Sequence, residues 1–209
     1  MRFRNRMSAG RRLGIELAKH GWTSPVVLAL PRGGVPVAAG VAEELNAPLD
    51  VVVAGKIGAP AQPELAVGAV TADGAVFYDD KTLAALGLTR EDVVRRSEAA
   101  VAEARRQQQR YQVRALDVTG RDVLIVDDGL ATGLTALAAV NAVLARRPLS
   151  VSVAVPVGSY AAIRRVEEVA DAVYCLRRPP HFRAVGQWYQ DFTQVTDDEV
   201  EQLLQFHSR

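Results

Sequence analysis

The sequence predicts an α/β fold, an open and mainly parallel five-stranded sheet with helices on both faces. Three observations predict it. Five short apolar runs, at residues 25–30, 49–54, 122–126, 150–155 and 172–175, lack the in–out alternation of a half-exposed strand. Helical patterns fall between them, as parallel strands require. The chain has 209 residues, enough for a substantial core in one domain, and shows no internal repeat or low-complexity tract.

Taken in order, a helix over 7–20 places Leu13, Ile15, Leu17 and Ala18 on or near one face, and Gly21 ends it. The first strand, 25–30, runs into the loop Pro31-Arg32-Gly33-Gly34 and a helix over 35–45. The second strand, 49–54, leads to an excursion over 58–80 with three Gly, two Pro and two apolar patches. That composition suits a hairpin, and an excursion of such length tends to carry function. Thr89-Arg90-Glu91-Asp92 starts a long helix with a capping-box pattern. The third strand, 122–126, precedes a helix from Thr132 that repeats Leu134, Leu137, Val140, Val143 and Leu144 at helical spacing. A strand over 150–155, a helix over 160–169 and a strand over 172–175 follow. Thr196-Asp197-Asp198-Glu199 caps a last helix ending near Phe206.

Composition narrows the function. A formal charge of +1 gives no bulk electrostatic case for nucleic acid or an acidic membrane. The basic run over 105–110 has no interleaved aromatics and reads as a solvated helix face. Cys175 is the one cysteine and lies in an apolar stretch, so a buried thiol is expected; with three scattered histidines, a Cys/His metal site is excluded. No apolar run approaches a membrane span and the N-terminus lacks an apolar signal core, so the expected location is the cytoplasm.

Chemistry concentrates in two loops. Val123-Leu124-Ile125-Val126-Asp127-Asp128-Gly129-Leu130-Ala131-Thr132-Gly133-Leu134-Thr135 joins a buried strand, two carboxylates and a hydroxyl-bearing helix start. A helix N-terminus beside Thr132 and Thr135 suits a phosphate, and the paired acids suit sugar hydroxyls or a metal-bound ligand. In Arg32-Gly33-Gly34 the glycines let backbone N–H groups approach an anion that the guanidinium can bind bidentately. Both loops follow parallel strands and so emerge on one sheet edge. Two anion sites flanking a carboxylate pair match a sugar phosphorylated at both ends. A dinucleotide site is excluded because the first loop lacks G-x-G-x-x-G spacing.

Residues 123–135 resemble the phosphoribosyl-pyrophosphate (PRPP) signature of the type I phosphoribosyltransferases, and residues 30–38 resemble that family's pyrophosphate loop. The resemblance covers most of the chain from Pro25 to Cys175. It implies the family fold in a single domain over 1–209, with a core at about 22–176, a small hood from 1–21 and 177–209, and a flexible loop at about 58–80 that closes over the site. It implies that Asp127 and Asp128 bind the ribose 2- and 3-hydroxyls, directly or through water on Mg²⁺. Ala131, Thr132, Gly133, Leu134 and Thr135 would cradle the 5-phosphate. Arg32, Gly33 and Gly34 would hold the pyrophosphate, with Mg²⁺ bridging, and Lys56, at the end of the second strand, would reach it.

The activity implied is Mg²⁺-dependent transfer of ribose 5-phosphate from PRPP to a small nitrogenous base with release of pyrophosphate. No nucleic acid or membrane partner is expected, and a homodimer is compatible with the family. The other reading is a non-catalytic PRPP sensor, against which Lys56 and the long excursion argue. Two residues depart from the family pattern: Gly129 replaces a branched apolar residue, and Ala131 stands where the hypoxanthine and guanine enzymes carry an Asp. A 6-oxopurine handled through that Asp is therefore not expected. Glu64 is the candidate replacement acid or base, or else a solvent-facing loop carboxylate. In the hood, Trp188, Tyr189 and Asp191 are candidates for base contact, the aromatics alternatively packing the hood onto the core.

Overall fold

A computed structural model describes residues 2–63, 65–112 and 114–207. The chain runs α1 (Arg6–Leu17), β1 (Val26–Ala29), α2 (Gly34–Leu45), β2 (Leu49–Val51), β3 (Ala54–Gly58), β4 (Ala66–Thr71), β5 (Val76–Tyr78) and α3 (Asp80–Ala85). It continues through α4 (Val94–Arg110), β6 (Asp122–Val126), α5 (Leu134–Leu144), β7 (Ser150–Val157), α6 (Tyr160–Glu167), β8 (Ala172–Arg177) and α7 (Asp197–Phe206).

Five strands form the parallel sheet in the order β2-β1-β6-β7-β8. Its central strand, β6, is buried along its whole length, which is why Val-Leu-Ile-Val shows no alternation. Val26, Leu28, Val123, Ile125, Val151 and Val153 point to one face, against Val140 and Val143 of α5 and Ile163 and Val166 of α6. Val27, Ala29, Leu124 and Val126 point to the other, against Leu13 and Leu17 of α1, Val37 and Val41 of α2 and Leu204 of α7. Helices α1 and α2 cross closely at two glycines. A Cβ on Gly10 would lie 2.1 Å from the Val37 carbonyl oxygen, and one on Gly40 would lie 2.7 Å from the Arg11 nitrogen.

The excursion forms the expected hairpin, β4 pairing antiparallel with β5, but it begins earlier than the sequence suggests. The second parallel strand ends at Val51, and Ala54 already belongs to β3 of a separate antiparallel sheet, β3-β4-β5. Lys56 therefore lies inside β3, opposite Ala69, and not at the end of a parallel strand. Residues 66–71 of the expected flexible loop form β4, buried at every position. Ile57, Val67 and Val70 pack there with Leu83 of α3 and with Val93. The helix expected from Thr89 begins with a 3-10 turn, Glu91–Val93, and the reciprocal Thr89–Asp92 hydrogen bonds supply the capping box.

The strand order sets the site. After β1 the chain moves outward to β2, then returns to place β6 on β1's other side, which makes the β1/β6 boundary the switch point where such sheets bind ligands. Register pairs Ala29 with Val126, and the Leu30 N–H donates to the Val126 carbonyl at 2.9 Å. The loops leaving both strands thus start side by side.

Candidate functional site

The glycines of the first loop are dictated by the second. A Cβ on Gly34 would lie 2.6 Å from the Val126 carbonyl oxygen and 3.0 Å from Asp127 Cα. One on Gly33 would lie 2.2 Å from Asp128 Oδ2. The preceding peptide, Pro31-Arg32, is cis. Arg32 Nη1 lies 3.7 Å from Asp197 Oδ2 at the start of α7, a loose and half-exposed pair. Asp197 also accepts from Arg110 at 2.9 Å and from the Tyr111 hydroxyl.

The acid pair is asymmetric. Asp127 Oδ1 accepts the Asp128 backbone N–H at 2.8 Å, and Asp127 lines the cleft. Asp128 turns the other way. Its Oδ2 accepts from Arg6 Nε at 2.8 Å, and its backbone carbonyl accepts the Tyr189 hydroxyl at 2.7 Å. Burial, then the charge of Asp128, pushes the Asp127 carboxyl well above the ordinary carboxylate range. Burial also raises Asp128, and the Arg6 guanidinium opposes that rise.

Gly129 is explained by the hood. A Cβ there would lie 2.7 Å from Val185 Cγ1, so Val185 fills the space a branched residue at 129 would occupy. Beyond it, carbonyls are tied back from outside the loop: Ala131 O accepts from Ser159 Oγ at 2.9 Å, and Thr132 O from Arg165 Nη1 at 3.0 Å. Gly133, at φ +79°, is the N-cap of α5 and has no side chain to cap the helix. Thr132 Oγ1 approaches Leu134 N only to 3.5 Å. The first N–H groups of α5 therefore face the cleft with little internal competition.

Together these residues enclose a cleft of about 310 Å³, lined by Lys56, Ala66, Asp127, Ala131, Thr132, Gly133 and Thr135. That volume lies within the range of small-molecule sites. Gly34 and Gly33 adjoin it through their close approach to Asp127 and Asp128, whereas Arg32 pairs with Asp197 and is not among the residues that line it; Leu134, 3 % exposed, offers only its backbone. Glu64 lies outside the described residues.

The hood candidates are placed differently from one another. Tyr189 is buried at 2 % exposure, packed between Phe3 and Phe192, with its hydroxyl spent on Asp128, so it offers no face to a base. Trp188 is partly buried with its indole N–H unpartnered among the described residues. Asp191 is exposed and accepts from the Thr193 amide and hydroxyl, bonds that hold its carboxyl below the usual range. Sequence reasoning missed Arg6, Val185, Ser159, Arg165 and Asp197. Arg6 sits in the alternating run Arg2, Arg4, Arg6, which reads as solvated charge.

No group of three or more His, Cys, Asp or Glu side chains suited to a metal occurs among the described residues. The donor set is one cleft-facing carboxylate with a second held by Arg6. It fits a Mg²⁺ that keeps its waters and rides on the oxygens of a phosphorylated ligand, and does not fit a metal caged by protein alone.

The family model for the phosphoribosyl transferase domain matches residues 3–193. Two Mycobacterium tuberculosis proteins provisionally named as phosphoribosyl transferases, Rv0571c of strain H37Rv and MT0597 of strain CDC 1551, are each 44% identical over 204 residues. The match takes in 97% of this chain but 46% of theirs, so the chain spans about half the length of these curated relatives. The crystal structure of TT1426 from Thermus thermophilus superposes with a TM-score of 0.83 at 42% identity, covering 100% of both chains. A Neisseria gonorrhoeae protein crystallised with bound ppGpp matches at a TM-score of 0.52 and 13% identity over 99% of this chain and 98% of its own, a likeness of fold alone.

Proposed function

The chain belongs to the type I phosphoribosyltransferase family, and on that premise we propose that it moves ribose 5-phosphate from PRPP to a small nitrogenous base with release of pyrophosphate. One observation carries the reading: two loops suited to anions meet at the switch point with Asp127 in the cleft beside them. A doubly phosphorylated sugar matches that arrangement in charge.

The N-terminus of α5, with Thr132 and Thr135, takes the 5-phosphate. Asp127, with Asp128 behind it, receives the ribose hydroxyls. Arg32 and the backbone of Gly33 and Gly34 take the pyrophosphate, and Lys56 reaches it from β3. Asp127, the cleft-facing carboxylate, would hold Mg²⁺, which would supply neutralisation of pyrophosphate charge. As the C1–oxygen bond breaks, charge gathers on the leaving group and the sugar becomes oxocarbenium-like. Arg32 and Lys56 stabilise the leaving group, and a base nitrogen forms the new C1 bond. Ala131 handles no proton, so the acceptor is not a 6-oxopurine activated by an Asp at that position.

A second reading, a PRPP-binding regulator, draws support from the Arg6–Asp128 pair, which leaves one acid in the cleft. A panel of purines, pyrimidines and pyridines with PRPP and Mg²⁺ separates the two by assaying pyrophosphate. Release with at least one base is the result expected of a transferase. PRPP binding with no release from any base would replace it with the regulator.

A further inference from the structure

Asp128 is held from every side by parts of the molecule far apart in sequence. Arg6 is 9 % exposed and opens α1. Its Nε donates to Asp128 Oδ2 at 2.8 Å, its Nη1 donates to the Thr193 carbonyl at 2.8 Å, and its guanidinium lies 3.7 Å from the centre of the Phe192 ring. Tyr189 holds the Asp128 carbonyl. Gly33 gives up its side chain to the same carboxylate, with Arg6 Nε 3.5 Å from where a Cβ would be. The Asp128 N–H in turn donates to Asp127 Oδ1. Hood, pyrophosphate loop and acid pair therefore meet at one residue, and the peptide joining the two acids is fixed by the first residue of α1.

We infer that Arg6 is a positioning residue acting through Asp128: its guanidinium anchors the second acid, and the anchored peptide orients Asp127 toward the ribose hydroxyls of the ligand. The inference rests on the PRPP reading. Arg6 is not among the residues that line the cleft. A lone buried carboxylate at 128 would swing to find a donor, and the Asp127–Asp128 peptide would swing with it. Because the guanidinium is also fixed by Thr193 and Phe192, assembly of the hood and readiness of the site become a single event.

A double-mutant cycle tests this, with PRPP and Mg²⁺ binding read by calorimetry and folding checked by thermal melting. Removing a hydrogen bond between charged groups corresponds to roughly a tenfold or greater effect. Arg6→Gln and Asp128→Asn should each weaken binding by about tenfold or more, on that same basis. The double variant should bind no more weakly than the worse single variant, because both substitutions break one relay. Arg6→Lys, which keeps the charge and a donor, should bind more tightly than Arg6→Gln; it replaces Arg6→Gln in the cycle if the latter fails to melt cooperatively. A purely structural Arg6 would lower melting temperature alone. Unchanged affinity in the Arg6 variants, or losses that multiply, would overturn the inference while leaving the PRPP reading in place. Failure of the wild type to bind PRPP would instead refute that reading, and the inference with it.

Discussion

Gly33→Ala isolates the contact between the two loops from any effect of backbone freedom. Gly33 has φ −60° and ψ −33°, where any L-residue is comfortable, so the backbone itself tolerates alanine. The obstacle is steric. The new Cβ would lie 2.2 Å from Asp128 Oδ2 and 2.9 Å from its Cγ, against an ordinary contact of 3.4 Å or more. The carboxylate must retreat by about 1 Å, enough to carry a 2.8 Å hydrogen bond to Arg6 out of range. Losing a charge-assisted bond of this kind costs about 1.5–3 kcal/mol. The full penalty of an unpaired buried cation is avoided because Arg6 keeps Thr193 and Phe192. For a chain of 209 residues that loss lowers the melting temperature by roughly 3–12 °C. Differential scanning calorimetry reads the shift, and repetition on an Asp128→Ala background supplies the control. There the carboxylate is gone and Gly33→Ala should cost little. A single variant melting within about 1 °C of wild type would refute the reasoning, as would an equal loss on both backgrounds.

Gly129→Val, which restores the family's branched residue, should destabilise the protein by about 1–3 kcal/mol through overpacking on Val185. Val185→Ala in the same chain should recover most of it, and thermal melts of the three variants decide. Asp50 gives a pH signature. It is 3 % exposed, its Oδ1 accepts the Val51 N–H at 2.9 Å, and its Oδ2 has no hydrogen-bond partner among the described residues. Burial pushes its carboxyl up, so its share of stability is full below the ordinary carboxylate range and lost as pH rises through the raised value. Asp50→Asn should therefore match wild type in urea denaturation at about pH 4 and exceed it at about pH 8. A variant less stable than wild type at the higher pH would contradict that sign.

The parallel sheet was legible because its strands are buried on both faces, and strands β6 and β7 begin where the apolar runs begin. The excursion was less so. Leu49 to Ala54 is one continuous apolar run but for Asp50, yet it crosses from the parallel sheet to the antiparallel one at Val52-Val53. Hydrophobic periodicity records burial and says nothing of which sheet provides it. Helix α3 escaped notice because six residues with a single buried side chain, Leu83, make no period. In the site, the cleft-lining residues of the signature follow from one contiguous motif. Arg6 and Asp128 are separated by 122 positions, and no local pattern joins them. The departure at Gly129 was visible, but its cause, Val185, lies in the hood.

The hood itself is stitched from the two ends of the chain. The Phe3 N–H donates to the Trp188 carbonyl, the Gln190 N–H to the Phe3 carbonyl and the Asp191 N–H to the Arg4 carbonyl. These contacts join residues 185 to 187 positions apart, so their loop-closure entropy can be met only after the sheet has brought the two segments together. The hood is thus expected to form late in folding. An opening there withdraws Arg6 from Asp128 while both cores stay folded. The proposed PRPP binding should therefore be lost on heating before the protein melts, which calorimetric titration at rising temperature would read against the thermal melt.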